Sequence, residues 1–165
     1  MTTSARSETP RVVLCGPERA EELHRLTQAA FRKHGQLDPP SGAMLESVER
    51  VRDDLSSGGG AIVELDGRPV GCLRWYVAPD GEFHVRRVAV QPELQRRGLG
   101  SVLMAWAEEE AQRRGCKAVS VGVRLALRDN LDFYRKLGYE IIGEHRHEGY
   151  DRTTWLAMRK SLQGT

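Results

Sequence analysis

Gln95-Arg96-Arg97-Gly98-Leu99-Gly100 carries the clearest chemistry in this 165-residue chain. It follows Phe83 to Val90, whose β-branched and aromatic residues predict a strand that Pro92 ends. It opens a stretch in which Leu99, Val102, Leu103, Trp106, Ala107 and Ala111 recur at helical spacing on one face, with Glu108, Glu109 and Gln112 opposite. A strand, a short glycine loop and a helix start together form an anion cradle. The first amides of a helix lack acceptors inside it, and the helix dipole adds partial positive charge there. A phosphate suits that place. Gly98 and Gly100 let a ligand approach the main chain, and Arg96 and Arg97 can add charge-assisted hydrogen bonds. Two nucleotide-binding patterns fail on residues. The position three after Gly100 is Leu103, not the third glycine of a dinucleotide fingerprint, and Gly100-Ser101-Val102 lacks the lysine of a P-loop.

Composition bounds the rest. One domain is expected at this length, burying roughly 70% of the surface its unfolded chain exposes. Hydrophobic residues make up 39% and charged residues 29%, ordinary for a globular protein. A net charge of +2 disfavours a nucleic-acid coat or a membrane-surface peptide. No apolar run is long enough to span a bilayer, and MTTSARSETP has no apolar leader core. Cys15, Cys72 and Cys116 are odd in number and far apart, which reads as free thiols rather than disulfides or a zinc site. A cytoplasmic protein is expected, binding neither nucleic acid nor membrane and holding no metal.

The elements that must position the loop follow in order. Residues 1–9 are polar and predicted disordered, 10–160 form the domain, and 161–165 are a short tail. Arg11 to Cys15 is a strand, and a helix runs from Pro17 to about Lys33, burying Ala20, Leu23, Leu26, Thr27, Ala30 and Phe31 before a stop at His34-Gly35. Pro39-Pro40 marks a loop. A second helix is predicted over Ala43 to Leu55, with Leu45, Val48, Val51 and Leu55 on one face, then a flexible break at Ser56 to Gly60. Ala61–Leu65 and Val70–Val77 flank a hairpin turn at Asp66-Gly67-Arg68-Pro69, and with Phe83–Val90 they form an antiparallel meander. After the central helix, Lys117–Val123 alternates valines as a strand, which implies a parallel, right-handed crossover. Arg128-Asp129-Asn130 opens a helix over Leu131–Leu137, with Asp129 or Asn130 as its N-cap. Tyr139–Gly143 and Thr153–Met158 form a last hairpin. The sum is a single α/β domain: a central mixed, mostly antiparallel twisted sheet of about seven strands flanked by about four helices.

That order and two clusters resemble the GNAT superfamily of N-acetyltransferases. The first cluster is Val88-Ala89-Val90 with Gln95 to Gly100; the second is Asn130-Leu131-Asp132-Phe133-Tyr134-Arg135-Lys136-Leu137-Gly138-Tyr139. The resemblance covers roughly residues 11–159. It implies transfer of an acetyl, or a longer acyl, group from a coenzyme A thioester to an amine of a small molecule or a protein. Backbone groups of Val88, Ala89 and Val90 would then pair with the pantetheine arm. Gln95, Arg96, Arg97, Gly98, Leu99, Gly100 and Ser101 would hold the pyrophosphate. Asn130 would bond the cofactor near its pantetheine end, and Tyr134 would protonate the departing thiolate. On its own spacing Tyr134 reads more often as a core aromatic than as an acid, and Asn130 as a cap.

Such a transfer needs a neutral amine, hence a base or a water chain. His84 is the first candidate, placed by alternation on one face with Arg86, Val88 and Val90, and Glu82 is the second. His145 and His147 are expected to face solvent. Cys72 and Cys116 read as small buried hydrophobes rather than acyl carriers. A non-catalytic acyl-CoA sensor would keep the same loop, although it has no need of Tyr134 and His84. The acceptor site is expected between the 34–42 loop and the 145–152 hairpin. Edge strands at that hairpin offer a route to a homodimer.

Overall fold

The computed structural model describes residues 9–34 and 36–162. The expected N-terminal tail falls outside them up to Glu8, as do the stop glycine Gly35 and residues 163–165. Seven strands form one sheet: β1 (Arg11–Cys15), β2 (Gly59–Leu65), β3 (Arg68–Val77), β4 (Phe83–Val90), β5 (Ala118–Arg124), β6 (Glu140–His145) and β7 (Trp155–Ser161). Their spatial order is β1-β2-β3-β4-β5-β7-β6, and every neighbouring pair is antiparallel except β4–β5. Asp66 and Gly67 both take positive φ, 50° and 77°, the pairing that lets a two-residue turn follow the twist of its flanking strands.

Helices α1 (Ala20–Phe31) and α2 (Val48–Ser57) cover one face, and α3 (Leu99–Arg113) and α4 (Arg128–Lys136) cover the other. Alternate strand residues serve the two layers. Ala61, Val63 and Leu73 pack with Leu99, Leu103 and Ala107 of α3, whereas Ile62 and Cys72 pack with Leu23, Leu26 and Val51. Burial on both sides explains why β2 and β3 read as continuous apolar runs. At the far edge β6 exposes Ile141 and Ile142. Among the described residues no helix is long and apolar enough to cross a membrane.

Three local expectations differ from the structure. The helix predicted from Ala43 is a short 3₁₀ turn, Gly42–Leu45, followed by a restart at Val48. Ser47 caps that restart by accepting from the Arg50 amide at 3.1 Å, and Leu45 is 78% exposed. Extended backbone at Glu46 separates the two pieces and turns its carboxylate inward to Arg74 and Arg87. The stretch Ser56–Gly60 is not a flexible break. Ser56 and Ser57 continue α2, Gly59 and Gly60 begin β2, and a Cβ on Gly58 would lie 2.0 Å from the Trp75 carbonyl oxygen. Close backbone approach selects that glycine. Finally, α4 starts at Arg128 with Leu127 at the cap position and no side-chain cap, so neither Asp129 nor Asn130 has that duty.

Candidate functional site

The site grows from an irregularity in β4. Cys72 pairs with Ala89, but Arg74 pairs with Arg86, so two residues of β4 stand opposite Leu73. Arg87 is the extra one, with φ at 56°. The bulge reverses the phase of alternation. Phe83 and Val85, then Val88 and Val90, face the α3 layer, whereas His84 and Arg86 face the same way as their cross-strand partners Tyr76 and Arg74. The expected common face of His84, Arg86, Val88 and Val90 therefore stops at Arg86, and Ala89 is buried against the α1–α2 layer. The β4–β5 ladder is only two pairs long, Phe83↔Val119 and His84↔Ser120. Beyond it the two strands part, and the far half of β4 presents an edge with no strand beside it. Gln95 crosses to that edge, its Nε2 donating to the Val90 carbonyl at 3.1 Å. Lys33 Nζ holds the same side chain by donating to Oε1 at 2.6 Å.

A cavity of about 360 Å³ lies along this edge. Val88 and Val90 form one wall, the loop residues Gln95, Arg96, Gly98, Leu99, Gly100 and Ser101 form its end, and Asn130 and Tyr134 of α4 close the opposite side. Arg97 does not line it; its side chain is exposed. Gly98 is the residue before α3, at φ 82°, and a Cβ there would meet nothing within 4 Å. Glycine is selected at Gly98 by the left-handed backbone, not by crowding. At Gly100 a Cβ would approach the Phe133 ring to 3.2 Å, so that glycine lets α3 and α4 come together. No side chain caps α3, which leaves its first-turn amides free for an anion. Arg96, 89% exposed, meets Asp129 only at 3.7 Å, a surface pair too weak to hold it from a phosphate. From the end of α1, Lys33 adds positive charge to the rim, and His34, its pKa lowered by burial and then by the charge of Lys33, adds a neutral imidazole. The spacing of the glycine loop gave no sign of either.

A second cavity, about 380 Å³, shares Phe31, Val88, Asn130 and Tyr134 with the first. Tyr134 and Asn130 thus stand where the two meet. Tyr134 is 8% exposed, and burial pushes its phenol pKa up. His84 lies in the wall of the second cavity, its Nδ1 2.9 Å from Ser120 Oγ across the last rung of the parallel ladder. Burial, and then the charge of Arg86, lower its pKa below the ordinary 6.5. Glu82 lines neither cavity and is ion-paired with Arg159.

His147 also differs from expectation. It lines the second cavity, its ring bonded to Thr154 Oγ1 at 2.5 Å, whereas His145 is exposed and stacks on Trp155. Arg86, Arg87 and Arg124 line the same cavity. The three cysteines are buried free thiols, and burial first of all raises Cys15 to about 12 and Cys72 to about 11. No cluster of three or more metal-ligating side chains occurs among the described residues.

Comparison with known proteins agrees with this geometry. The family model described as "Acetyltransferase (GNAT) family" matches residues 20–139. S-(2-succino)cysteine N-acetyltransferase of Bacillus subtilis is 26% identical over 143 residues, covering 82% of this chain and 87% of that protein. An uncharacterized N-acetyltransferase of Methanocaldococcus jannaschii is 29% identical over 89 residues, and the match spans 38% of its length. Among solved structures, the ribosomal-protein-S18-alanine N-acetyltransferase of Escherichia coli superposes with a TM-score of 0.77 at 17% identity, covering 95% of this chain and 96% of that one. PaiA N-acetyltransferase of Thermoplasma acidophilum, solved in complex with coenzyme A, gives 0.75 at 14% identity, covering 93% and 99%. At such identities the two structures speak to the fold.

Proposed function

Because the chain belongs to the acetyltransferase (GNAT) family, we propose that it is an acetyl-CoA-dependent N-acetyltransferase acting by direct attack of an amine within a ternary complex. The observation that carries this reading is the two-rung β4–β5 ladder, which opens a channel from the uncapped start of α3 to the meeting point of the two cavities. The free edge at Val88, Ala89 and Val90 suits an extended amide-bearing arm. The first-turn amides of Leu99, Gly100 and Ser101, with Arg96 and Lys33, suit its phosphates, and Asn130, relieved of capping, is available to bond it. When bound, acetyl-CoA supplies an activated carbonyl and a thiolate leaving group. His84 takes a proton from the ammonium or attacking amine, so that the nitrogen lone pair is free to form the C–N bond. Tyr134 donates its hydroxyl proton to the sulfur as the C–S bond breaks. A proton on Nδ1 of His84, donated to Ser120, leaves Nε2 as the free base. High-pKa buried thiols make poor nucleophiles, which supports direct attack over an acyl-enzyme. A cytoplasmic location belongs to the same proposal, since three free thiols suit a reducing compartment.

The test is calorimetric titration with acetyl-CoA followed by thiol release with amines. Gly98→Glu is expected to weaken acetyl-CoA binding roughly tenfold or more by like-charge repulsion of phosphate. Gly98→Asn, which tolerates the left-handed backbone, should retain most of it. Equal losses in both would make the loop a mere turn. Binding without thiol release would make the protein a sensor. The lowered pKa of His84 fixes a pH dependence as well. A base works when deprotonated, so kcat/KM should rise with pH through a midpoint below 6.5 and then level. His84→Ala should remove that acid limb, and an unaltered limb would transfer the role to water.

A further inference from the structure

We propose that the amine acceptor carries an anionic group, a carboxylate or phosphonate, and that Arg124 receives it. This deepens the acetyl-transfer reading and rests on it. The second cavity has no aspartate or glutamate in its lining, while Arg86, Arg87, Arg124 and two histidines all belong to it. Arg86 and Arg87 are compensated from behind, by Asp54 at 2.8 Å and Glu46 at 2.9 Å. Arg124 is not. Its Nη2 donates to the Pro39 carbonyl at 2.6 Å, and no carboxylate of the described residues lies within ion-pair distance. Asp38, the acid of the adjoining loop, accepts from the Tyr150 hydroxyl at 2.5 Å instead.

Nη2 is the one Arg124 nitrogen that bonds to protein among the described residues, so Nη1 is left without a protein acceptor. A guanidinium in the wall of a cavity with no acid of its own suits a charge-assisted hydrogen bond from an oxyanion. The same charges disfavour a protonated amine beside them, which helps the acceptor nitrogen reach the neutral form that attack requires. A polyamine would bring further positive charge to a wall that has no acid to meet it.

The experiment compares kcat/KM for aspartate, glutamate and 2-aminoethylphosphonate with the diamides of aspartate and glutamate, carboxamides that carry no carboxylate, and spermidine, in the wild type, Arg124→Gln and Arg124→Lys. At least one anionic amine should exceed the carboxamides and spermidine roughly tenfold or more in the wild type. Arg124→Gln should lower kcat/KM for that amine by roughly 10- to 100-fold, chiefly through KM, with the carboxamides and acetyl-CoA affinity little changed. Arg124→Lys should restore part of it. The carboxylate and phosphonate arms tell the two anions apart. Preference for spermidine or a carboxamide, or an equal loss on every acceptor in Arg124→Gln, would overturn the anionic acceptor and leave the transferase standing. Acetyl-CoA binding with no thiol release from any amine would overturn the transferase reading, and this proposal with it.

Discussion

Tyr134→Phe should lower kcat by about 10²- to 10³-fold and leave the dissociation constant for acetyl-CoA within about twofold. The ring of Tyr134 packs edge-on against Phe133 and Tyr139, at centroid separations of 4.9 and 5.7 Å. Phenylalanine keeps both contacts. Tyr134 lines both cavities, and its hydroxyl makes no side-chain hydrogen bond among the described residues, so its removal leaves no partner stranded. What disappears is a proton donor. Burial raises the phenol pKa, so the group is protonated throughout the neutral range and can donate to a developing thiolate. As the C–S bond breaks, negative charge develops on the sulfur, and a protonated hydroxyl beside it can stabilise that charge by a hydrogen bond and hand over its proton. Because donation is needed only at that moment, the loss should appear in kcat and not in ground-state affinity. Steady-state kinetics beside calorimetry checks it, and an unchanged kcat would assign the proton to water. A large fall in melting temperature would mean instead that the hydroxyl has a structural role.

The part of this site that sequence reveals is the part built from local rules. Glycines at a helix start, a proline closing a strand and an alternating valine strand each have one physical meaning, and each stands where the pattern puts it. The parts that escape are set by partners distant in the chain. Nothing in Phe83–Val90 marks Arg87 as a bulge, since non-glycine residues rarely adopt positive φ and the irregularity is imposed by pairing with β3. Regular alternation therefore put Val88 and Val90 beside His84, and the short β4–β5 ladder could not be foreseen. Gly59 and Gly60 read as flexible because the contacts that require them come from Trp75, Leu55 and Leu23. Ser47 was a legible signal: a serine directly before the first apolar helical position is a cap, and it would have split the helix predicted from Ala43. Arg124 and His147 carry no motif. They reach the cavity only because β7 pairs with β5 on one side and β6 on the other.

Asp54→Ala should destabilise the fold by about 3–5 kcal/mol, the usual consequence of removing one partner from a buried ion pair. Arg74 is 1% exposed and is held by Asp54 at 2.9 Å and by Glu46 at 2.7 Å. The same two carboxylates neutralise Arg86 and Arg87, and Asp54 also meets the exposed Arg50 at 3.4 Å, so two acids serve four guanidiniums. Without Asp54 the excess charge grows in a site with little water to screen it. Arg74→Met should cost less, because Asp54 keeps Arg86 and Glu46 keeps Arg87. At about 2–4 °C per kcal/mol for a domain this size, the Asp54 variant should melt on the order of 10 °C lower. The opposite ranking would show that Arg74 matters by packing and not by charge. Acid should act on the same cluster. Burial alone would raise Glu46, but the hydrogen bonds and charges of Arg74 and Arg87 outweigh it and hold its pKa below the ordinary 4.5. A carboxylate depressed in the folded state contributes its full stability above the unfolded pKa and loses it as pH falls through the folded value. Stability should therefore decline with acid from about pH 4.5 downward, and Glu46→Gln should flatten that decline while lowering stability at neutral pH. Since Arg86 and Arg87 form part of the cavity wall, Asp54→Ala should also raise KM for the amine. The charge cluster would then be the means by which the fold keeps those two guanidiniums aligned at the acceptor site.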